Sequence, residues 1–282
     1  GCAVVRGLQG DMESDVLKAH ACAKHFAVNS QETNRMTSNS RVDERALREI
    51  YLLAFEKVVR EAKPSTIMAS YNMINGKYAC ENKYLLTELL RNEWGFEGLV
   101  MSDWGASIDI DKSLNAGMDL EMPENKAHVP SERTEEVALM RASNNVINLV
   151  KKSLDRKKTF KVYSDADKEE LLKKNREIAL EIQTESIVLL QNNGILPLEN
   201  ISENKRIIVI GELARTMRYQ GGGSSHINAT HTPDAIKALW EANEYKIAFV
   251  DSLTDYNEKV DIWSLGVTFY TMLYGSFPFS LS

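Results

Sequence analysis

Four short apolar runs, separated by polar loops and amphipathic helices, fill the first 125 residues, and this alternation constrains the fold more than any other feature. The runs are 21–27 (ACAKHFA), 66–72 (TIMASYN), 98–103 (GLVMSD) and 117–122 (GMDLEM). Between the first two, the spacing predicts a helix over 43–62. Leu47, Ile50, Tyr51, Ala54, Phe55, Val58 and Val59 fall at three- and four-residue steps, the pattern of one buried face. Asp43 and Glu44 open that helix, where the dipole favours acids. A second helix spans 83–93, with Gly95 and Gly98 at its exit. Strands alternating with helices predict an α/β fold with a parallel sheet and right-handed crossovers.

The pattern changes after residue 131. Residues 131–191 read as helical and highly charged, with a basic, loop-like break at 151–161. A second α/β unit follows. Residues 185–191 (ESIVLLQ) end a helix, Asn193 and Gly194 make a turn, and 207–210 (IIVI) form a buried strand. The loop 221–225 (GGGSS), a helix near 233–242 and a strand near 246–250 complete it.

A chain of 282 residues is long enough for one large domain or two modest ones. Its 43% hydrophobic and 26% charged content is that of a folded globular protein. A net charge of −6 argues against nonspecific nucleic-acid binding as the main function. The longest apolar run, 262–274, is too short to span a membrane and carries Ser, Thr and Gly. Cys2, Cys22 and Cys80 are odd in number and form no C-x-x-C pair, so neither a disulfide framework nor a zinc site is expected. The first residue is Gly and no basic-then-apolar leader follows, so either something precedes this start or the chain is a piece of a longer one. The compartment stays open, with the cytoplasm favoured.

The strand ends carry chemistry. The first run ends near Lys24 and His25, the second at Tyr71 and Asn72, the third at Asp103 and Trp104. Burying such groups without partners costs several kcal/mol, about 2–7 for an unpaired polar group. Each could be a separate structural ion pair or hydrogen bond, but three in succession suggest one shared cause. In a (β/α) barrel the C-terminal strand ends are where the active site gathers. Convergent donors, acceptors and an indole wall suit a sugar, and a strand-tip carboxylate can attack an anomeric carbon.

At these residues the chain resembles glycoside hydrolase family 3. The resemblance is carried by Lys24-His25-Phe26, Asn29 to Glu32 and Arg35, the stretch 43–51 (DERALREIY), Ser70-Tyr71-Asn72 and Asn75-Gly76. It continues through 94–98 (WGFEG), Ser102-Asp103-Trp104-Gly105, Ala116 to Asp119, 185–190 (ESIVLL) and the GGGSS loop. These motifs occur in order over about residues 1–250. The resemblance implies a β-glucosidase-like, retaining enzyme acting on terminal non-reducing β-linked sugars without a cofactor. It implies Asp103 as the nucleophile. Lys24 and His25 would hold sugar hydroxyls, Tyr71 would pack beside the nucleophile and Trp104 would line the pocket. Glu32 with Arg35, and separately Asp119 and Glu121, read as structural. The GGGSS loop reads either as a border of the pocket or as a flexible turn.

The fold expected is the C-terminal half of a (β/α)8 barrel followed by the start of an α/β sandwich. Residues 1–125 would be the partial barrel, 126–184 a helical linker region and 185–252 the partial sandwich. Residues 253–282 would be a helical tail, in which 256–279 resembles the long buried helix of the protein-kinase C-terminal lobe. The catalytic elements of a kinase are absent, which excludes that activity. No residue is assigned as the general acid. The family's upstream strands have no counterpart here, so activity of the chain itself stays open. The alternative is a non-catalytic carbohydrate-binding or interaction remnant. A half barrel also leaves unpaired edges, which favours self-association.

Overall fold

The computed structural model describes residues 1–10, 17–157, 162–196 and 206–250, apart from 215, 217, 230, 231, 233, 234 and 243–245. The tail 253–282 therefore lies outside the described residues. The chain divides into two compact units, Gly1–Ser164 and Asp165–Ser282.

The first unit begins with helix α1 (Cys2–Gln9), followed by strand β1 (Cys22–Phe26) and the two-residue strand β2 (Asn39–Ser40). Then come α2 (Glu44–Ala46), a π-type turn (Leu47–Tyr51) and α3 (Leu53–Ala62). Strand β3 (Thr66–Ala69) leads into a hairpin of β4 (Met73–Ile74) and β5 (Lys77–Tyr78). A π helix (Tyr84–Glu93), β6 (Leu99–Ser102), α4 (Ile110–Ala116) and α5 (Glu136–Lys157) complete the unit. The main sheet is parallel, in the order β1–β3–β6. Thr66 lies opposite both Cys22 and Leu99, and Ala69 opposite both Phe26 and Ser102. The β4–β5 hairpin turns on Asn75 and Gly76, both at positive φ, the pairing a two-residue type I′ loop requires.

The core lies between this sheet and its covering helices. Phe26, Leu52, Ile67, Leu86, Leu90 and Val100 are fully buried in it. The Phe26 ring meets Phe55 edge-on at 5.0 Å and Trp94 at 5.9 Å. Each such aliphatic side chain contributes roughly 1.5–3 kcal/mol when buried.

Three expectations are corrected. The helix over 43–62 begins as expected, with the Asp43 carboxylate capping the Ala46 N–H at 2.9 Å. Its apolar face is nevertheless broken. Ile50 is 68% exposed, Tyr51 and Ala54 are also exposed, and Leu52 is buried instead. The Leu52 N–H bonds to the Leu47 carbonyl, so one extra residue enters the turn and rotates everything after it. The run 117–122 makes only a parallel bridge, Met101 to Leu120. The Asp119 carboxylate takes the Val100 N–H at 2.9 Å, and the Val100 carbonyl receives both Asp119 and Leu120 N–H groups. A regular ladder cannot form around such a pairing. The basic stretch starting at Lys151 is helical as far as Lys157, the end of α5, because Lys and Arg are good helix formers and favourable at a helix C-terminus.

In the second unit, α6 (Asp165–Ser186) is exposed along its length and stops at Ser186, so of the run 185–191, expected to close a helix, only Glu185 and Ser186 are helical. Asn192 accepts the Gly194 N–H at 3.1 Å and shapes the Asn193–Gly194 turn. Strand β7 (Arg206–Ile210) pairs in parallel with β8 (Lys246–Val250), with helix α7 (Ala235–Ala242) between them in sequence. The glycine-rich loop closes on itself, since Gln220 exchanges two hydrogen bonds with the Ile227 backbone, at 2.8 and 2.9 Å.

Candidate active site

Strand β6 ends at Ser102, and the next residue, Asp103, continues the ladder by donating its N–H to the Ala69 carbonyl at 2.9 Å. Gly98, just before the strand, permits the close approach of β6 to β3. A Cβ there would lie 2.4 Å from the Ser65 carbonyl oxygen. The strand tip thus presents one carboxylate. Asp103 Oδ1 accepts the Trp104 N–H at 2.7 Å, and Oδ2 stands 3.3 Å from His25 Nε2. The Asp103 side chain is 13% exposed and that of His25 33% exposed, so both are reachable.

Tyr71 is buried beside this pair and donates its hydroxyl to the Trp104 carbonyl at 2.9 Å. Burial first, and the Asp103 carboxylate second, push the Tyr71 phenol above its ordinary value, which keeps it a neutral donor. Burial also lowers the His25 imidazole. The Asp103 carboxylate opposes that shift, and Lys24 and Arg35 add to it. His25 is therefore a neutral imidazole at neutral pH.

The structure brings Asp103, His25 and Tyr71 into one cluster at the C-terminal end of the sheet. Lys24 is exposed and acts on His25 through its charge. Trp104 is 61% exposed and lies next in the chain to the carboxylate. Arg35 is the residue whose place the sequence reading missed. Its pair with Glu32 is present at 2.9 Å, yet its guanidinium also lies 4.9 Å from the centre of the Tyr71 ring. Nothing in the three-residue spacing of Glu32 and Arg35 signals a contact with Tyr71.

The remaining carboxylates nearby are engaged in structure. Asp119 is held by Arg91 at 2.6 Å and Arg141 at 3.1 Å, and Glu121 pairs with His128 at 2.6 Å. Asn72 is fully buried and donates to the Ala27, Val28 and Met73 carbonyls, so it staples the loop after β1. Burial, with Glu81, Asp103 and Glu121 adding, pushes the Cys80 thiol up to about 12. Among the described residues no cluster of three His, Cys, Asp or Glu could hold a metal ion. No described helix is long and apolar enough to cross a membrane.

The geometry has close relatives. The "Glycosyl hydrolase family 3 N terminal domain" matches residues 1–156, and the "Glycosyl hydrolase family 3 C-terminal domain" matches 187–262. An exo-alpha-(1->6)-L-arabinopyranosidase of Bifidobacterium breve is 46% identical over 231 residues, covering 77% of this chain and 30% of the relative. Thermostable beta-glucosidase B of Acetivibrio thermocellus is 41% identical, covering 82% of this chain and 31% of the relative. Among solved structures, a beta-glucosidase of Bifidobacterium adolescentis superposes with TM-score 0.72 at 37% identity, covering 92% of this chain and 38% of that one. Beta-glucosidase 3B of Thermotoga neapolitana gives 0.68 at 32% identity, covering 88% and 34%. The chain thus spans about 30% of the length of the curated relatives it matches.

Proposed function

This chain belongs to glycoside hydrolase family 3, and we propose that it carries the nucleophile side of a retaining site for terminal non-reducing β-linked sugars, with a β-glucoside as the model substrate. The observation that supports this best is the Asp103 carboxylate at the tip of β6, with one oxygen held by the Trp104 N–H and the other facing His25.

In this reading an Asp103 oxygen attacks the anomeric carbon as the bond to the leaving oxygen breaks. The product is a glycosyl ester, which water then cleaves with net retention. His25, neutral, and Lys24, cationic, bind sugar hydroxyls. Tyr71 fixes the turn behind the nucleophile, and the Trp104 indole forms a wall of the pocket. Protonation of the leaving group contributes about 10²–10⁴-fold, and no described carboxyl is assigned to it here. Activated aryl glycosides, whose leaving groups need no proton, are therefore the substrates of choice for the chain alone.

The same reading makes 1–125 the catalytic barrel portion, 126–184 the linker region and 185–252 the sandwich portion. Sheet order leaves one edge of β1 without a strand among the described residues. Pairing of two chains through that edge follows, and sedimentation velocity that shows only monomer at high concentration would refute it.

Incubation with 2,4-dinitrophenyl 2-deoxy-2-fluoro-β-glucoside tests the catalytic assignment. Release of dinitrophenolate and a mass gain of one fluoroglucosyl unit, lost in Asp103→Asn, is the expected result. Sugar binding without labelling would replace the catalytic reading with a binding remnant.

A further inference from the structure

The turn that presents Asp103 is secured through one neighbouring residue. Where the fourth segment leaves the sheet, Ser102 still donates its N–H to the Leu120 carbonyl at 2.9 Å. Beyond that point side-chain bonding replaces the ladder. The Ser102 hydroxyl accepts the Met122 N–H at 2.8 Å and donates to the Met122 carbonyl at 3.2 Å. The same Met122 carbonyl accepts the Gly105 N–H at 2.8 Å. Both backbone groups of Met122 thus tie to the residues on either side of the Asp103–Trp104 pair. Ser102 is fully buried, so no solvent competes for these bonds.

We infer that Ser102 is a positioning residue for the Asp103 nucleophile, acting through the two bonds its hydroxyl makes to Met122. The inference rests on the catalytic reading above. An alanine at 102 leaves the Met122 N–H without its acceptor and Met122 tied to the turn only through Gly105, while the Asp103 N–H keeps its bond to Ala69 and Tyr71 keeps its bond to the Trp104 carbonyl. The carboxylate then loses one of the restraints that fix it relative to His25. The groups proposed to bind sugar hydroxyls, Lys24 and His25, sit on β1 and are untouched. Loss of the hydroxyl should therefore slow bond formation more than it weakens sugar binding, although Trp104, which lies in the same turn, can shift with it. A displacement near 1 Å costs about 10²-fold in rate.

The test measures labelling of the full chain by the fluoroglucoside in wild type, Ser102→Ala, Ser102→Cys and Asp103→Asn, with rates expressed per folded molecule. The expected result is labelling about 10- to 100-fold slower in Ser102→Ala, with a much smaller change in the half-saturating concentration. Ser102→Cys, which keeps a weak donor and acceptor, should fall between it and wild type. Hydrogen exchange gives a readout independent of turnover, since the Met122 amide should lose protection in Ser102→Ala. Wild-type labelling rates in Ser102→Ala, or an unchanged Met122 amide, overturn the positioning role and leave Asp103 as nucleophile. Absence of label in wild type, or label retained in Asp103→Asn, overturns both readings.

Discussion

Replacing Asp119 with asparagine should weaken the first unit far more than an isosteric change suggests. The Asp119 side chain is 0% exposed and receives Arg91 Nη2 at 2.6 Å, the Val100 N–H at 2.9 Å, Asn145 Nδ2 at 3.0 Å and Arg141 Nε at 3.1 Å. Asparagine keeps the shape but removes the charge, and turns an amide NH2 toward groups that are themselves donors. Arg91, with 12% of its side chain exposed, then keeps its charge without a counterion. Removing one partner of a buried pair costs roughly 3–5 kcal/mol. Arg141 is 26% exposed and partly solvated, which places the expected loss near the lower end, about 3 kcal/mol. For a unit of this size about 1 kcal/mol moves the midpoint by about 2–4 °C, so the shift expected is roughly 6–12 °C downward. Thermal unfolding of wild type and Asp119→Asn, followed by circular dichroism, measures it. A midpoint within about 2 °C of wild type would mean that the two arginines find solvent or other partners, and the reasoning from burial would be refuted.

Other expectations follow from single contacts. The Thr134 hydroxyl and the Ser131 N–H hold the Asp111 carboxyl down at about 2, against an ordinary 3.8. Its folded value lies below the unfolded one, so this stabilisation is complete above pH 3.8 and is lost as pH falls through about 2. Urea midpoints between those pH values should fall in wild type and change less in Asp111→Asn. Gly98→Ala should destabilise by about 1–3 kcal/mol through overpacking, because its Cβ would meet the Ser65 carbonyl oxygen at 2.4 Å, and wild-type urea stability would contradict this. Burial lowers the His25 pKa below its ordinary 6.5, and Arg35 contributes to the shift, so Arg35→Gln should move the NMR titration of His25 upward. Because the unfolded chain takes that proton first, His25 makes wild type more stable as pH rises through 6.5, and Arg35→Gln should reduce that gain. Trp104→Ala should leave the melting temperature within about 1 °C, since the side chain is 61% exposed, while weakening binding of a glucoside measured calorimetrically.

Much of the barrel portion was legible from local chemistry. The runs that became β1, β3 and β6 are apolar, bounded by loops and separated by helical spacing, and burial on both faces of a parallel sheet demands that pattern. The start of the helix at Asp43 was legible because acids favour a helix N-terminus, whereas the hairpin at Asn75–Gly76 was not read from the sequence, although its turn chemistry is local. Local rules failed where a long-range partner intervened. The extra residue at Leu47–Tyr51 moved Leu52 into the core and Ile50 out of it, which a fixed 3.6-residue period cannot register.

The amino-acid order by itself marked Lys24, His25, Tyr71, Asp103 and Trp104 as polar or aromatic groups near the ends of apolar runs. Period and turn chemistry are written along the chain, and family likeness is written in the order of its motifs. Only the tertiary structure decided that His25 lies 3.3 Å from Asp103, that Arg35 rests on Tyr71, and that Met122 ties down the turn between Ser102 and Gly105. Those contacts join residues up to 78 positions apart in the numbering, as with His25 and Asp103. Their geometry depends on sheet register and helix packing, which no local preference encodes.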